Sequence, residues 1–159
     1  MKGALHNMRN IRRNLIGLGL AALMTLTLGA QQKGKKGQSL YERLGGKPAI
    51  TAVVDEFVSR VAADTKINRY FAAAAADPAR LASFKGKLVD QICQASGGPC
   101  TYTGKNMKEA HAGMGITGAE FDALVGDLVG ALDKFKVPER EKGELLGVLG
   151  PMKSDIATK

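Results

Sequence analysis

Tryptophan is absent from the 159 residues, and aromatic residues of any kind are few, with three Tyr and five Phe. A β-sandwich core of this size draws on more aromatic and β-branched side chains than that, whereas abundant Ala, Leu, Val and Gly suit a small helical protein. Histidine is nearly absent too: the chain has two, His6 and His111. A usual zinc site needs several His or Cys ligands, so zinc hydrolysis is not expected. A Ser-His-Asp triad would have to use His111, and no Gly-x-Ser-x-Gly element accompanies it. A lone His on a helix is by itself most often a surface or satisfied core residue. Acidic residues are missing from the first thirty positions, which hold Lys2, Arg9, Arg12 and Arg13. The remainder therefore carries 19 basic and 15 acidic groups, four of the net +8 charges having been set aside. That is a mildly basic solvated surface. It has no basic stripe interleaved with aromatics, so a nucleic-acid partner is not expected.

The N-terminal charge has a different reading. Met1–Arg13 is basic, Asn14–Leu28 is apolar, and the small pair Gly29-Ala30 precedes polar Gln31-Gln32. Basic, apolar, small is the layout of a secretory signal, with cleavage expected after Ala30. The apolar run is shorter than the roughly 20 residues a bilayer span needs, so no permanent membrane span is expected in the mature protein. No Cys closes the run, and a lipoprotein is not expected. Arg12-Arg13 followed by Asn14-Leu-Ile16 also fits a twin-arginine signal, although paired arginines are common in ordinary signals. The expected compartment is periplasmic. Residues 31–38, with Lys33-Gly-Lys-Lys-Gly37, read as a flexible cationic linker, and residues 39–159 as one folded domain.

Within that domain the punctuation is helical throughout. Ser39-Leu-Tyr-Glu42 is a capping box opening a very short helix stopped at Gly45-Gly46. Pro48 suits the first turn of the next helix, where Ile50, Val53, Val54, Phe57 and Val61 form one apolar face. The pattern breaks near Asp64, and Ile67–Phe71 reads as a tight turn or short helix. Ala72–Ala76 is a low-complexity connection. Asp77-Pro78 is an N-cap followed by a proline at the first helical position. It opens a helix to about Ala95 with Leu81, Phe84, Leu88 and Ile92 on one face, ended by Gly97-Gly98-Pro99. A short helix is expected over Asn106–Ala112, closed by Gly113 and Gly115. Thr117-Gly-Ala-Glu120 is a second capping box, leading a helix whose apolar face runs through Phe121, Leu124, Val125, Leu128, Leu132 and Phe135. Pro138 starts the last helix, with Leu145, Leu146, Val148 and Leu149 apolar, and Gly150-Pro151 should bend it. No strand alternation appears. The fold class is all-α.

Tyr41-Glu-Arg-Leu-Gly-Gly46, Ala49-Ile50, Val53-Val54-Asp-Glu-Phe57 and Arg60-Val61 together resemble the opening of group I truncated haemoglobins. So do Tyr70-Phe71, Gly97-Gly98-Pro99, Tyr102-Thr-Gly104, Met107-Lys-Glu-Ala-His111, Gly115-Ile116-Thr117 and Phe121. These landmarks stand in the family's order and near its spacing, over residues 39–159. The resemblance implies a globin-like two-over-two helical sandwich around haem b. It places the iron-ligating histidine on His111, where a neutral imidazole leaves the opposite face open to a diatomic gas. It puts Phe71 against the haem plane and Met107 one turn before the ligand, on the same side. Tyr102, Ile116 and Phe121 join the cofactor-binding set. Lys87 and Lys105 could each neutralise a propionate, or simply be solvated.

The expected distal pocket departs from the family. A tyrosine commonly follows the phenylalanine matched by Phe57; here it is Val58. Glutamines commonly face the ligand where this chain has Phe84 and Leu88. A tyrosine–glutamine network stabilises polar bound O2 by about 1–3 kcal/mol, so O2 binding should be weaker and oxidation to ferric haem easier, with CO less affected. Gln91, one residue off that face, is the remaining candidate donor. No distal His or Lys stands at a ligating position, so five-coordinate iron or a weakly bound water is expected.

Cys93 and Cys100 flank the Gly-Gly-Pro turn and could approach within the roughly 5.5–6 Å a disulfide needs. An exported protein meets oxidising conditions that favour the bridge over two buried thiols. They are not a c-type haem attachment, which needs Cys-x-x-Cys-His. Two functional classes follow. One is reversible binding of O2, NO or CO; the other is a haem redox enzyme acting on nitric oxide, nitrite or peroxide with an external electron-donor protein. A helical module that lost its cofactor is disfavoured by His111, Phe71 and Met107 standing together.

Overall fold

The computed structural model describes residues 37–159; the expected signal and most of the expected linker lie outside the described residues. Ser39 caps α1 (Leu40–Arg43) through a complete capping box with Glu42. Gly45, at φ 93°, reverses the chain into α2 (Gly46–Ala63), a backbone conformation that a side chain would strain. A 3-10 turn (Asn68–Tyr70) and α3 (Ala72–Ala75) lead to α4 (Pro78–Ala95), where the Asp77 side chain accepts from the Arg80 N–H. Then come α5 (Met107–Ala110), α6 (Gly118–Lys134) with the Thr117–Glu120 capping box, and α7 (Glu139–Leu149). A 3-10 turn over Gly150–Met152 and α8 (Lys153–Ile156) complete the described chain. No strand forms among these residues; one isolated bridge pairs Ile116 with Ala157.

Helix α2 packs against both α4 and α6, and α1 against α2 and α7. The main core gathers Ile50, Val53, Val54, Phe57 and Val61 of α2 with Val89, Ile92 and Cys93 of α4 and Leu128, Ala131 and Leu132 of α6. A second, smaller core joins Ile116, Phe121 and Ile156. Splitting the apolar interior in two leaves room between the halves, which is where the site lies.

Three local expectations need correction. Ala72–Ala75 is helical, since alanine has the highest helix propensity even where no apolar periodicity marks a face. The histidine helix is shorter than expected: Asn106 is its N-cap and His111 follows its last turn. Phe135 is 45% exposed and Val148 40% exposed; Phe135 stands past the last turn of α6, where the helical face no longer continues. The bend at Gly150-Pro151 takes the form of a 3-10 turn, consistent with the hydrogen bond that proline removes.

Cys93 and Cys100 are joined by a disulfide with Cα atoms 5.7 Å apart. Gly98 makes the turn between them fit: a Cβ there would stand 2.7 Å from Cys93 Sγ and 2.5 Å from the Tyr41 ring. No helix of the described residues is long and apolar enough to cross a membrane.

Candidate functional site

A cavity of about 490 Å3 opens between the two cores, walled by α2, α4, α5, α6 and the C-terminal turns. That volume lies in the range of small-molecule and cofactor sites, roughly 300–1,000 Å3. Its lining is mostly apolar. Phe57, Phe71, Phe84, Leu88 and Ile92 stand on one part of the wall, and Met107, His111, Met114, Ile116 and Phe121 on another. The Phe71 and Phe84 rings lie 5.7 Å apart at a 56° tilt, a favourable aromatic contact.

His111 is half-buried and its Nδ1 lies 2.7 Å from the Met107 carbonyl oxygen, one turn back in its own segment. A carbonyl only accepts, so Nδ1 carries the hydrogen and donates. In the neutral ring Nε2 then keeps its lone pair, and no described side chain or backbone group bonds to it. This is the arrangement that orients a metal-ligating imidazole. Among the described residues, no group of three or more His, Cys, Asp or Glu is placed to hold a bare metal ion. The donor set suits a group that brings its own equatorial ligands and needs one nitrogen from the protein. An apolar slot with one such nitrogen and lysines at its rim fits haem.

The segment that presents His111 is stitched to the end of α4. The disulfide is one tie. Gln94 Oε1 accepts from the Tyr102 N–H at 2.6 Å, and the Tyr102 hydroxyl donates to the Lys105 carbonyl at 2.9 Å. The Tyr102 ring folds over Gly104, whose missing Cβ would otherwise collide with the phenol, and burial pushes its pKa up. Gln91 adds a further tie: its Nε2 donates to the Met107 and Met152 sulfurs at 3.3 and 3.4 Å.

Of the residues singled out by sequence, Phe57, Phe71, Phe84, Lys87, Leu88, Tyr102, Met107, His111, Ile116 and Phe121 line the cavity. Val58 does not; it packs against the main core. Successive helical residues point about 100° apart, and Phe57 takes the cavity-facing direction. Gln91 is also misplaced as a distal donor, because its amide is committed to sulfurs on the His111 side. Lys87 and Lys105 are exposed at the rim, with no carboxylate within ion-pair distance among the described residues.

Sequence reasoning missed Tyr70 and Glu120. Both line the cavity, and the Tyr70 hydroxyl donates to Glu120 Oε2 at 3.0 Å. Tyr70 precedes Phe71 and Glu120 precedes Phe121, so adjacency to two wall residues was the available signal. Met114, Leu124, Leu149 and Met152 also line the cavity without having been flagged.

Residues 39–158 match the bacterial-like globin family. The chain is 38% identical to a group 1 truncated haemoglobin of Mycolicibacterium paratuberculosis, over 76% of this chain and 85% of that one. It is 35% identical to one from Synechocystis, over 70% and 90%. Among solved structures, the ferric truncated haemoglobin of Tetrahymena pyriformis superposes with a TM-score of 0.69 at 31% identity, covering 77% of this chain and all of that one. The 2/2 haemoglobin of Synechococcus, solved in the cyanomet state with covalently attached haem, gives 0.69 at 30% identity with the same coverage. The chain belongs to the truncated haemoglobins of the bacterial-like globin family, a class of haem proteins with the globin fold.

Proposed function

We propose that this chain holds haem b through His111 Nε2 and reversibly binds a diatomic ligand on the opposite, apolar face. The observation that carries this reading is the His111–Met107 hydrogen bond, which leaves one imidazole lone pair available at the wall of a cofactor-sized apolar cavity. Bound haem supplies an iron centre that coordinates small gases. The protein's share is to shape the slot, hold the imidazole and exclude water. Met107 packs beside His111, Phe71 and Phe84 form an aromatic wall, and Lys87 and Lys105, exposed at the rim, would pair with the propionates.

No polar hydrogen faces the ligand from Phe84 or Leu88. Dioxygen gains stability from such a donor and carbon monoxide far less, so the pocket favours CO and NO over long-lived O2 binding. Installing the missing donor tests this. Leu88→Gln should slow O2 dissociation by roughly tenfold or more, the effect of one hydrogen bond of about 1.5–3 kcal/mol to a partly charged group, with CO dissociation little changed. Equal slowing of both gases, or of neither, would contradict the apolar-pocket reading.

A second reading is a redox enzyme for nitric oxide, nitrite or peroxide with an external electron donor. Tyr70 and Glu120 in the cavity wall favour its peroxide branch. In either case we place the protein outside the cytoplasm, on the basic–apolar–small order of residues 1–30. Material from the periplasm should begin at Gln31 by mass; an intact Met1 there would contradict cleavage.

A further inference from the structure

One polar arrangement in the cavity wall joins a phenol to a carboxylate. The Tyr70 hydroxyl donates to Glu120 Oε2 and accepts from Arg69 Nη2, each at 3.0 Å. Glu120 also pairs with Arg69, and it receives the Thr117 N–H at 2.8 Å and the Thr117 hydroxyl at 2.9 Å. These groups, the Thr117 N–H foremost, hold its carboxyl ionised with a pKa of about 2. The carboxylate is mostly buried, with 14% of its side chain exposed, whereas Arg69 is 59% exposed.

The chain has few side chains able to give up one electron. There is no Trp, there are three Tyr, and the described cysteines are joined in the disulfide. Tyr41 sits against the main core on α1, its oxygen accepting the Lys47 N–H. Tyr102 lines the cavity but donates to a backbone carbonyl, which cannot take up a proton. Tyr70 alone combines a place in the cavity wall with a phenolic hydrogen already directed at a carboxylate.

We propose that Tyr70 is a redox-active tyrosine that gives one electron to the oxidised haem when the protein meets hydrogen peroxide, its phenolic proton passing to Glu120. This rests on haem occupying the cavity. Reduction of peroxide to two waters consumes two electrons and two protons. One electron comes from the ferric iron and the other from Tyr70, and the two protons come from solvent. The Tyr70 O–H bond breaks and its proton passes to Glu120 Oε2, 3.0 Å from the phenol oxygen, leaving a neutral phenoxyl radical. Arg69 lies 4.6 Å over the ring and opposes positive charge there, so the electron leaves together with the proton. An oxidised phenol is a far stronger acid than any carboxylic acid, so Glu120 accepts the proton despite its low pKa. Thr117 holds the carboxylate in place throughout. A small external reductant of the ascorbate class gives one electron to the phenoxyl while Glu120 hands the proton back to re-form the phenol, and a second equivalent restores the iron. The activity is therefore peroxidase-like, with Tyr70 as the entry point for electrons.

The test is freeze-quench electron paramagnetic resonance on the haem-loaded ferric chain mixed with hydrogen peroxide, beside Tyr70→Phe, Tyr41→Phe and Glu120→Gln. Glutamine preserves the α6 capping box, so that variant changes proton acceptance and leaves the helix start intact. A tyrosyl signal is expected in the unaltered chain and in Tyr41→Phe, whose ring lies outside the cavity wall, and its loss in Tyr70→Phe. In Glu120→Gln the signal should form about a hundredfold more slowly, the lower range for removing a positioned proton acceptor. The peroxide-induced change of the Soret band should persist in all four proteins. A tyrosyl signal undiminished in Tyr70→Phe, an unaltered rate in Glu120→Gln, or no tyrosyl signal despite a responding Soret band would overturn the proposal. A chain that takes up no haem would overturn the reading of the cavity and this inference with it.

Discussion

At the scale of single residues, His111 and Gly98 carry the most. His111 was legible in the sequence because it is the only imidazole in residues 39–159, and the family resemblance then placed the iron ligand on it. The bond that selects its free nitrogen was not legible, since a side chain reaching its own segment's carbonyl leaves no pattern in the residues. Val58 shows the opposite failure: position along the chain matched, but direction around the helix did not. Gly98 has a purely steric role. A Cβ there would meet both the Tyr41 ring and Cys93 Sγ, neither of which can swing away, one being packed in the core and the other bonded to Cys100. Gly98→Ala should therefore lower stability by about 1–3 kcal/mol, the usual cost of overpacking, read as a fall in the urea midpoint. An unchanged midpoint would mean that the turn relaxes freely.

At the scale of elements, helix starts were the most readable feature. Ser39, Asp77 and Thr117 each cap the helix they were expected to cap, because a side-chain oxygen satisfying a free N–H is a local matter. Helix α5 was harder, its four residues being too few to stand alone. It is held by Asn106 at its start and by the ties from α4, which are contacts between distant parts of the chain. The Thr117–Glu120 cap also sets an acid limit. Glu120 has its carboxyl lowered from 4.5 to about 2, first by the Thr117 N–H and then by Thr117, Tyr70 and Arg69 side-chain groups. A depressed carboxylate contributes stability that is fully present above pH 4.5 and is lost as pH falls towards 2. Glu120→Gln should flatten the stability–pH curve within that window, lying below the unaltered chain near neutrality and converging with it towards pH 2. An equally steep acid limb in the variant would assign the loss to other carboxylates.

At the scale of the whole molecule, the interior is built as two cores with a slot between them, and the slot needs filling. The sequence showed the helices and their apolar faces. It did not show that those faces divide, because periodicity says which side of a helix is buried and not what it is buried against. Phe57, Ile92 and Leu128 of the main core and Ile116, Phe121 and Ile156 of the second core all reach the cavity. A cofactor seated there completes the packing of both, so haem binding and folding stability should rise together.

The central claim is that His111 holds haem in this slot. The most direct test is the optical spectrum of the haem-loaded chain, ferric and then dithionite-reduced, beside His111→Ala. The account predicts a five-coordinate ferrous spectrum that converts on adding CO, and in the variant a lost or displaced Soret band. A variant whose ferrous spectrum matched the unaltered chain would contradict the assignment of the ligand, and a helical chain that took up no haem would contradict the site.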